Sequence, residues 1–330
     1  MEYRQLGESG LSASAITFGA WAIGGWMWGG AERSDAIAAI RASYDHGVTS
    51  IDTAAIYGQG LSEEIVGEAL QGIPRERVQI MTKFGMRWDD TKGEFAFRTQ
   101  DNGGRSLDIY KYAGRDSVIK ECEDSLRRLR TDYIDLYQIH WPDGTTPIAE
   151  TMEALADLLK AGKIRAAGVS NYNVRQLAEA ERSIKLASDQ VPFSMINRGI
   201  ESELTPWCIA HRKAILAYSP LQRGILTGKI RPGHTFQSGD TREDSHFYKE
   251  ENIVRINAFL DGLRPLAAEK GATLSQLVIR WTLERSGITI ALVGARDARQ
   301  AVENAGAIGV KLSAEEIAGI NEKLYALELD

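Results

Sequence analysis

Short apolar, β-branched runs alternate with longer stretches of helical period along almost the whole chain, and that alternation restricts the fold more than any other feature. The strand-like runs are one near Ile16 to Phe18, VTSI ahead of Asp52, VQIMT (78–82), YIDLYQI (133–139), IRAAGVS (164–170), VPFSMI (191–196), AILAYS (214–219) and ITIALV (288–293). That makes eight, each followed by helical or loop sequence. With 330 residues and 43% hydrophobic content the chain can bury one large core. The expectation is α/β: a (β/α)8 TIM barrel forming a single domain over residues 1–330.

Helical text follows the strands at 34–47 with Ser34 as cap, at 61–72 with Ser62 as cap, at 115–129, and at 147–162 with Pro147 as the first helical residue and Gly162 as stop. Ahead of the first strand, YRQLGESGLSASAIT predicts an N-terminal hairpin turning at Glu8, Ser9 and Gly10. The text at 252–271 and 313–328 predicts extra outer helices. Two stretches interrupt the alternation. Residues 84–114 carry Trp88, Phe95 and Phe97, and residues 224–251 are polar and contain Gly228, Pro232, Gly233 and Gly239. Both follow strands, the third and the seventh, so both rise over one end of the barrel as functional loops.

Charge and cysteine usage exclude several classes. A formal net charge of −6 without a basic run argues against a nucleic-acid partner and an anionic membrane surface. The two cysteines, Cys122 and Cys208, have no metal spacing and read as reduced structural thiols. No signal-like leader and no run of about 18 apolar residues occurs, so the expectation is a cytoplasmic enzyme acting on a small molecule. The sequence carries no signal for oligomeric state.

Ionisable residues stand at the ends of consecutive strands: Asp52 and Tyr57 after VTSI, Lys83 after VQIMT, and His140 after YIDLYQI. A parallel barrel assembles its active site from such strand ends. Any one of these residues is ordinarily a satisfied hydrogen-bonding group, and it is their combination that suggests chemistry. His46, His211, His234 and His246 lie in helix ends or loops without partner spacing and read as surface or structural. The HxH pattern of a metal-dependent barrel hydrolase is absent, so no metal is expected.

In order and spacing, DTAAIYG (52–58), TKFG (82–85), QIHWP (138–142), GVSNYN (168–173), AYSPLQRG (217–224) and GARDARQAVEN (294–304) resemble the motifs of aldo-keto reductases. The resemblance runs from GAWAIGG (19–25) to Asn304 and leans toward the bacterial and potassium-channel-β-subunit-like branch. It implies NADPH-dependent, reversible reduction of aldehyde or ketone carbonyls. Hydride delivery to carbon leaves charge on oxygen, which an acid must meet. Tyr57 is the expected acid, Lys83 lowers its pKa, Asp52 holds the lysine, and His140 polarises the same oxygen. The alternative is a nucleotide-binding regulatory module with little turnover.

No GxGxxG follows a strand, so cofactor contacts come from the resemblance alone. It places Ser170, Asn171 and Gln190 on the carboxamide, Tyr218 on the nicotinamide ring, and Ser219, Leu221 and Gly224 on the pyrophosphate. Gly294, Arg296, Gln300, Glu303 and Asn304 match the adenosine end, where Arg296 suits the 2′-phosphate of NADPH. Gly294 and Gln300 depart from the basic residues of many NADPH-preferring members, which leaves NADH possible. Trp21, Trp26, Trp28, Trp88 and Trp141 cluster at strand ends and in loops, with Trp21, Trp88 and Trp141 expected to bind the carbonyl substrate. Trp207 and Trp281 lie in helical text and read as packing residues.

Overall fold

The computed structural model describes residues 1–27, 31–236 and 240–329, so Trp28 and Gly239 lie outside the described residues. Eight parallel strands close into a barrel: β3 (Ile16–Gly19), β4 (Ser50–Asp52), β5 (Gln79–Phe84), β9 (Ile134–Ile139), β10 (Ile164–Ser170), β11 (Ser188–Pro192), β12 (Ala214–Tyr218) and β13 (Ile288–Val293), with β13 pairing back onto β3. Around it run α1 (Arg33–Asp45), α2 (Leu61–Ala69), α3 (Arg115–Leu129), α4 (Ile148–Lys160), α5 (Val174–Ala180), α6 (Leu204–Ala210), α9 (Leu274–Leu283) and α10 (Ala298–Gly306). Three further helices, α7 (Glu250–Asp261), α8 (Arg264–Glu269) and α11 (Ala314–Tyr325), complete the outside. None of the described helices is long and apolar enough to cross a membrane.

All six side chains of β9 are buried, as a strand covered on both faces requires. The inward positions stack in layers. Met81, Leu136, Ala166, Leu216 and Ile290 form an apolar layer inside the barrel. Two residues further along the same strands the layer turns polar, with Lys83 opposite Gln138 and Gln138 opposite Gly168. Glycine at 168 makes room there, because a Cβ would lie 2.7 Å from Ser188 Oγ and 3.1 Å from Gln138 Cγ. The period of two in each strand is therefore what lifts the ionisable residues to the mouth.

The predicted hairpin is present as β1 (Tyr3–Gln5) and β2 (Ser12–Ser14), closed by the Leu6 amide on the Leu11 carbonyl. Leu6, Leu11 and Ala13 insert into the apolar layer and stop the end of the barrel opposite the ionisable residues.

Several expectations need correction. The sixth strand is Ser188–Pro192, not 191–196; Ser188, Asp189 and Gln190 look polar as text but are buried in the sheet, and the chain leaves it after Pro192. Ser34 caps nothing, the cap of α1 being Glu32. Ser62 is likewise no cap: its hydroxyl donates to the Ala20 carbonyl and bonds Thr53 Oγ1, pinning α2 to the strand ends. Pro147 precedes α4 as its cap residue. The stretch after the third strand is no open loop but a three-stranded antiparallel sheet of β6 (Met86–Arg87), β8 (Ser106–Lys111) and β7 (Glu94–Gln100), in that order. Its two ends meet, the Tyr112 amide donating to the Gly85 carbonyl, and Asn102 Nδ2 ties its turn to the Gly24 carbonyl at 2.8 Å.

Because Leu6 is only 1% exposed in a layer that cannot easily collapse, Leu6→Ala is expected to cost about 2–5 kcal/mol of unfolding free energy in a urea titration. A loss below about 1 kcal/mol would mean that the plug is loosely packed.

Candidate active site

Lys83 is the best-buried charge at the mouth, 1% exposed, and three oxygens surround its ammonium. Nζ lies 2.5 Å from Asp52 Oδ1, 2.9 Å from the Thr53 carbonyl and 3.3 Å from the Tyr57 hydroxyl. The other carboxylate oxygen, Asp52 Oδ2, accepts from Gln190 Nε2 at 2.8 Å and from Gln138 Nε2 at 3.3 Å. Asp52 is thus locked from three strands, β5, β9 and β11, and in turn orients Lys83.

Tyr57 stands over this pair. Its ring stacks on Trp21 at 6.1 Å between centroids and meets His140 edge-on at 5.5 Å. Burial raises the Tyr57 pKa; Lys83 draws it back down and Asp52 adds to the rise, leaving it above the ordinary phenol value. Lys83 does lower the Tyr57 pKa, as expected, but desolvation is the larger effect and the net shift is upward. Burial also opposes the Lys83 charge, but Asp52 and Tyr57 outweigh it and hold the lysine pKa above its usual value. His140 is driven well below its usual value, first by burial and then by the Lys83 charge. It presents a neutral imidazole, able to donate from one ring nitrogen without carrying charge.

A cleft of about 550 Å3 runs from this cluster across the barrel mouth. Asp52, Tyr57 and His140 line it, with Lys83 just beneath. Ser170, Asn171 and Gln190 lie along its middle, with Tyr218, Ser219, Leu221 and Gly224 beside them, and Gly294, Arg296, Gln300, Glu303 and Asn304 at the far end. The middle is prearranged: Tyr218 donates to Asn171 Oδ1, Asn171 Nδ2 donates to the His140 carbonyl and to Ser170 Oγ, and Ser170 Oγ donates to the Gln190 carbonyl. Asn171 takes a positive φ of 61°, a conformation asparagine tolerates better than most residues. At the far end Gln300 is already used, accepting from the Arg296 amide.

Trp21 and Trp141 line the cleft, whereas Trp88 does not. Trp88, in the bend just after β6, packs instead against the cluster of Trp26, Ala54, Ile56, Met86 and Ile109. Trp26, Met27, Met86 and Phe97 line the cleft in its place. Outside the cleft, His46 and His211 donate through Nδ1 to carbonyls one turn back at helix ends. Trp281 is fully buried, and Cys122 and Cys208 are free, buried thiols.

Sequence reasoning passed over Arg223, Lys229 and Arg242, which line the same cleft as Arg296; the Arg223 guanidinium lies 5.6 Å over the ring of Trp21. Arg242 pairs with Asp240 at 2.6 Å and donates to the Arg223 carbonyl, and Arg223 reaches Thr241 Oγ1. Burial lowers the pKa of both Arg223 and Arg296, and the Arg242 charge lowers each further. Asp240 offsets part of that charge, and an anion placed among the three guanidiniums would offset more, so this group fits a phosphate-bearing ligand. The usable signal was the scatter of basic residues, Lys229, Arg231 and Arg242, in the polar stretch 224–251, with Arg223 just before it.

Since Lys83 and Asp52 are both buried, Lys83→Met is expected to cost about 3–5 kcal/mol by leaving a carboxylate unpaired, while the double substitution Lys83→Met with Asp52→Asn recovers much of that loss. Urea unfolding of the four proteins at one pH checks it, and additive losses would count against a tight pair.

The family model described as the aldo/keto reductase family matches residues 15–325. An NADH-specific methylglyoxal reductase of Escherichia coli (strain K12) is 35% identical, with 98% of each chain covered. The solved glycerol dehydrogenase AKR11B4 from Gluconobacter oxydans has a TM-score of 0.88 at 36% identity, covering 99% of this chain and 97% of that one. An aldo-keto reductase from Klebsiella pneumoniae, solved in complex with NADPH, has a TM-score of 0.73 at 31% identity and covers 100% and 99%. With the family's model spanning nearly the whole barrel, the chain belongs to the aldo/keto reductase family.

Proposed function

We propose that residues 1–330 form one cytoplasmic barrel domain that reduces aldehyde or ketone carbonyls with NADPH, reversibly, and accepts NADH as a poorer substitute. The observation that carries this reading is the chain Asp52–Lys83–Tyr57 beside His140 at the floor of a cleft of about 550 Å3. The Klebsiella neighbour's NADPH and the cations Arg223, Lys229, Arg242 and Arg296 that line the cleft support the phosphorylated cofactor, and the NADH-specific relative keeps the other open. Free buried thiols suit a reducing compartment.

Bound NADPH would supply the hydride. Tyr57 donates its proton to the substrate oxygen, and neutral His140 donates a hydrogen bond to the same oxygen as charge develops there. Lys83 stabilises the phenolate left on Tyr57, and Asp52 keeps the lysine aimed. Gln190 has given Nε2 to Asp52, so it offers a carboxamide its acceptor Oε1, while Tyr218 provides a ring face for the nicotinamide. Arg296 serves the 2′-phosphate; Arg223 and Arg242 serve the pyrophosphate. Trp21 and Trp141 flank the carbonyl substrate. A module that only binds nucleotide would have no use for the buried relay.

Tyr57→Phe is expected to lower kcat by about 10²–10⁴-fold while the dissociation constant for NADPH stays within about threefold. Near-normal turnover would remove Tyr57 from the reaction. In the wild type, oxidation needs the phenolate. Because the Tyr57 pKa is raised, the alcohol-oxidising rate should climb with pH through the alkaline range, and the reducing rate should not. Parallel profiles in the two directions would contradict this.

Arg296→Ala is expected to weaken NADPH about 10- to 100-fold, the worth of a hydrogen-bonded charge pair, and to change NADH by less than about threefold. Equal losses in a fluorescence titration would place Arg296 in loop support.

A further inference from the structure

Gln138 stands inside the barrel two residues before His140, paired across the sheet with Lys83 on one side and Gly168 on the other. It is fully buried and does not line the cleft, which keeps it away from cofactor and substrate. Its Nε2 donates to Asp52 Oδ2 at 3.3 Å. The other end of the amide is costly: Oε1 is buried and meets no donor among the described residues, whereas buried polar atoms are nearly always paired. Turning the amide over would set Oε1 against the carboxylate, so the nitrogen faces Asp52.

Packing does not call for an amide here. The neighbouring inward layer fills the same barrel with Met81, Leu136, Ala166, Leu216 and Ile290, and a hydrocarbon side chain at 138 would bury no oxygen of its own. The facing strand also leaves room for the amide, since a Cβ on Gly168 would lie 3.1 Å from Gln138 Cγ. A donor kept at such a cost points to the buried charge it serves. Gln190 donates to the same oxygen at 2.8 Å, but it lines the cleft and answers to the cofactor as well.

We propose that Gln138 is a positioning residue: by holding Asp52 Oδ2 from the barrel interior it sets the field of the Asp52–Lys83 pair at the Tyr57 hydroxyl, and with it the pH at which Tyr57 serves as a base. The charged and titratable groups around that hydroxyl are Asp52 from β4, Lys83 from β5, His140 after β9 and Tyr218 from β12, with Arg223 beyond the ring of Trp21. Without the Gln138 N–H, the Asp52 anion is less neutralised and repels a phenolate more strongly, or it takes the Lys83 proton and removes the ammonium. Either way the phenolate loses support and forms at higher pH. The inference rests on the reductase reading with Tyr57 as acid and base.

The test follows the pH profile of benzyl alcohol and glycerol oxidation by NADP+ in the wild type, Gln138→Met and Gln138→Glu. The first variant keeps the length of the side chain and removes the donor; the second, when ionised, adds negative charge beside Asp52. Both should move the alkaline limb upward by about one pH unit, or about tenfold in rate at a pH on the limb, so the second decides the matter if the first does not fold. Ser188→Ala is the packing control. Its hydroxyl lies against the same Gly168 and has no partner among the described residues, and its loss should leave the limb in place. The same displacement should appear without any alcohol in an ultraviolet titration of tyrosine ionisation, with Tyr57→Phe subtracted as the blank. Lower rates on an unmoved limb, or an equal shift in Ser188→Ala, would reduce Gln138 to a packing residue and overturn the proposal. A wild type with no alkaline limb and no Tyr57 signal in the titration counts against Tyr57 as the acid instead.

Discussion

An ammonium taken out of water survives only if something nearby repays its hydration, and the mouth of this barrel is organised around doing so for Lys83. Asp52 supplies the opposite charge at 2.5 Å, but a carboxylate buried beside it needs donors of its own. Those come from Gln138 and Gln190, on strands that do not neighbour β4 in the barrel. The pair can therefore exist only in a closed barrel whose register places these residues across from one another. Closure, register and proton chemistry depend on one ion pair, and Tyr57 is the oxygen left over for it to serve.

The two ends of the barrel solve opposite problems. At one, Leu6 and Leu11 close the interior with hydrocarbon, so the inward layer above them is dry. At the other, the polar layer begins abruptly at Lys83 and Gln138, and electrostatic effects are strong because little water reaches them. Desolvation drives the imidazole of His140 toward its neutral form, and the same lack of water leaves Tyr57 a phenol. Further along the cleft the logic reverses, with like charges on Arg223, Arg242 and Arg296 crowded where an anion can lie among them.

Much of this was legible in the text of the chain. Strand and helix periods announced the barrel and its hairpin, and the motif order brought out the residues that line the cleft. What escaped had physical reasons. Ser188, Asp189 and Gln190 look like loop text because strand propensity reflects packing of apolar side chains, and here an inward-facing polar layer replaces them. Gln138 was invisible as a partner of Asp52, since nothing local links residues 86 apart. Ser62 was read as a helix cap because capping and a tertiary bond to Ala20 use the same hydroxyl. Trp88 and Trp26 could not be distinguished without knowing that residues 86–111 fold into a sheet, whose register bulges between Phe95 and Phe97 and so blurs the alternation.

The two ends of that sheet meet where the Tyr112 amide donates to the Gly85 carbonyl; Arg87 ties it to Ser117 and Glu121 of α3, and Asn102 ties it to the first loop at Gly24. It contributes Met86 and Phe97 to the wall of the cleft and nothing to the relay of Asp52, Lys83 and Tyr57. The segment therefore has the mechanical character of an interchangeable cassette. Its abutting ends allow it to lengthen, shorten or be exchanged without stretching the barrel, provided Arg87 keeps its hold on α3 and the residue at 102 still reaches the first loop. Selectivity in such a scaffold can drift quickly while the proton chemistry stays where it is.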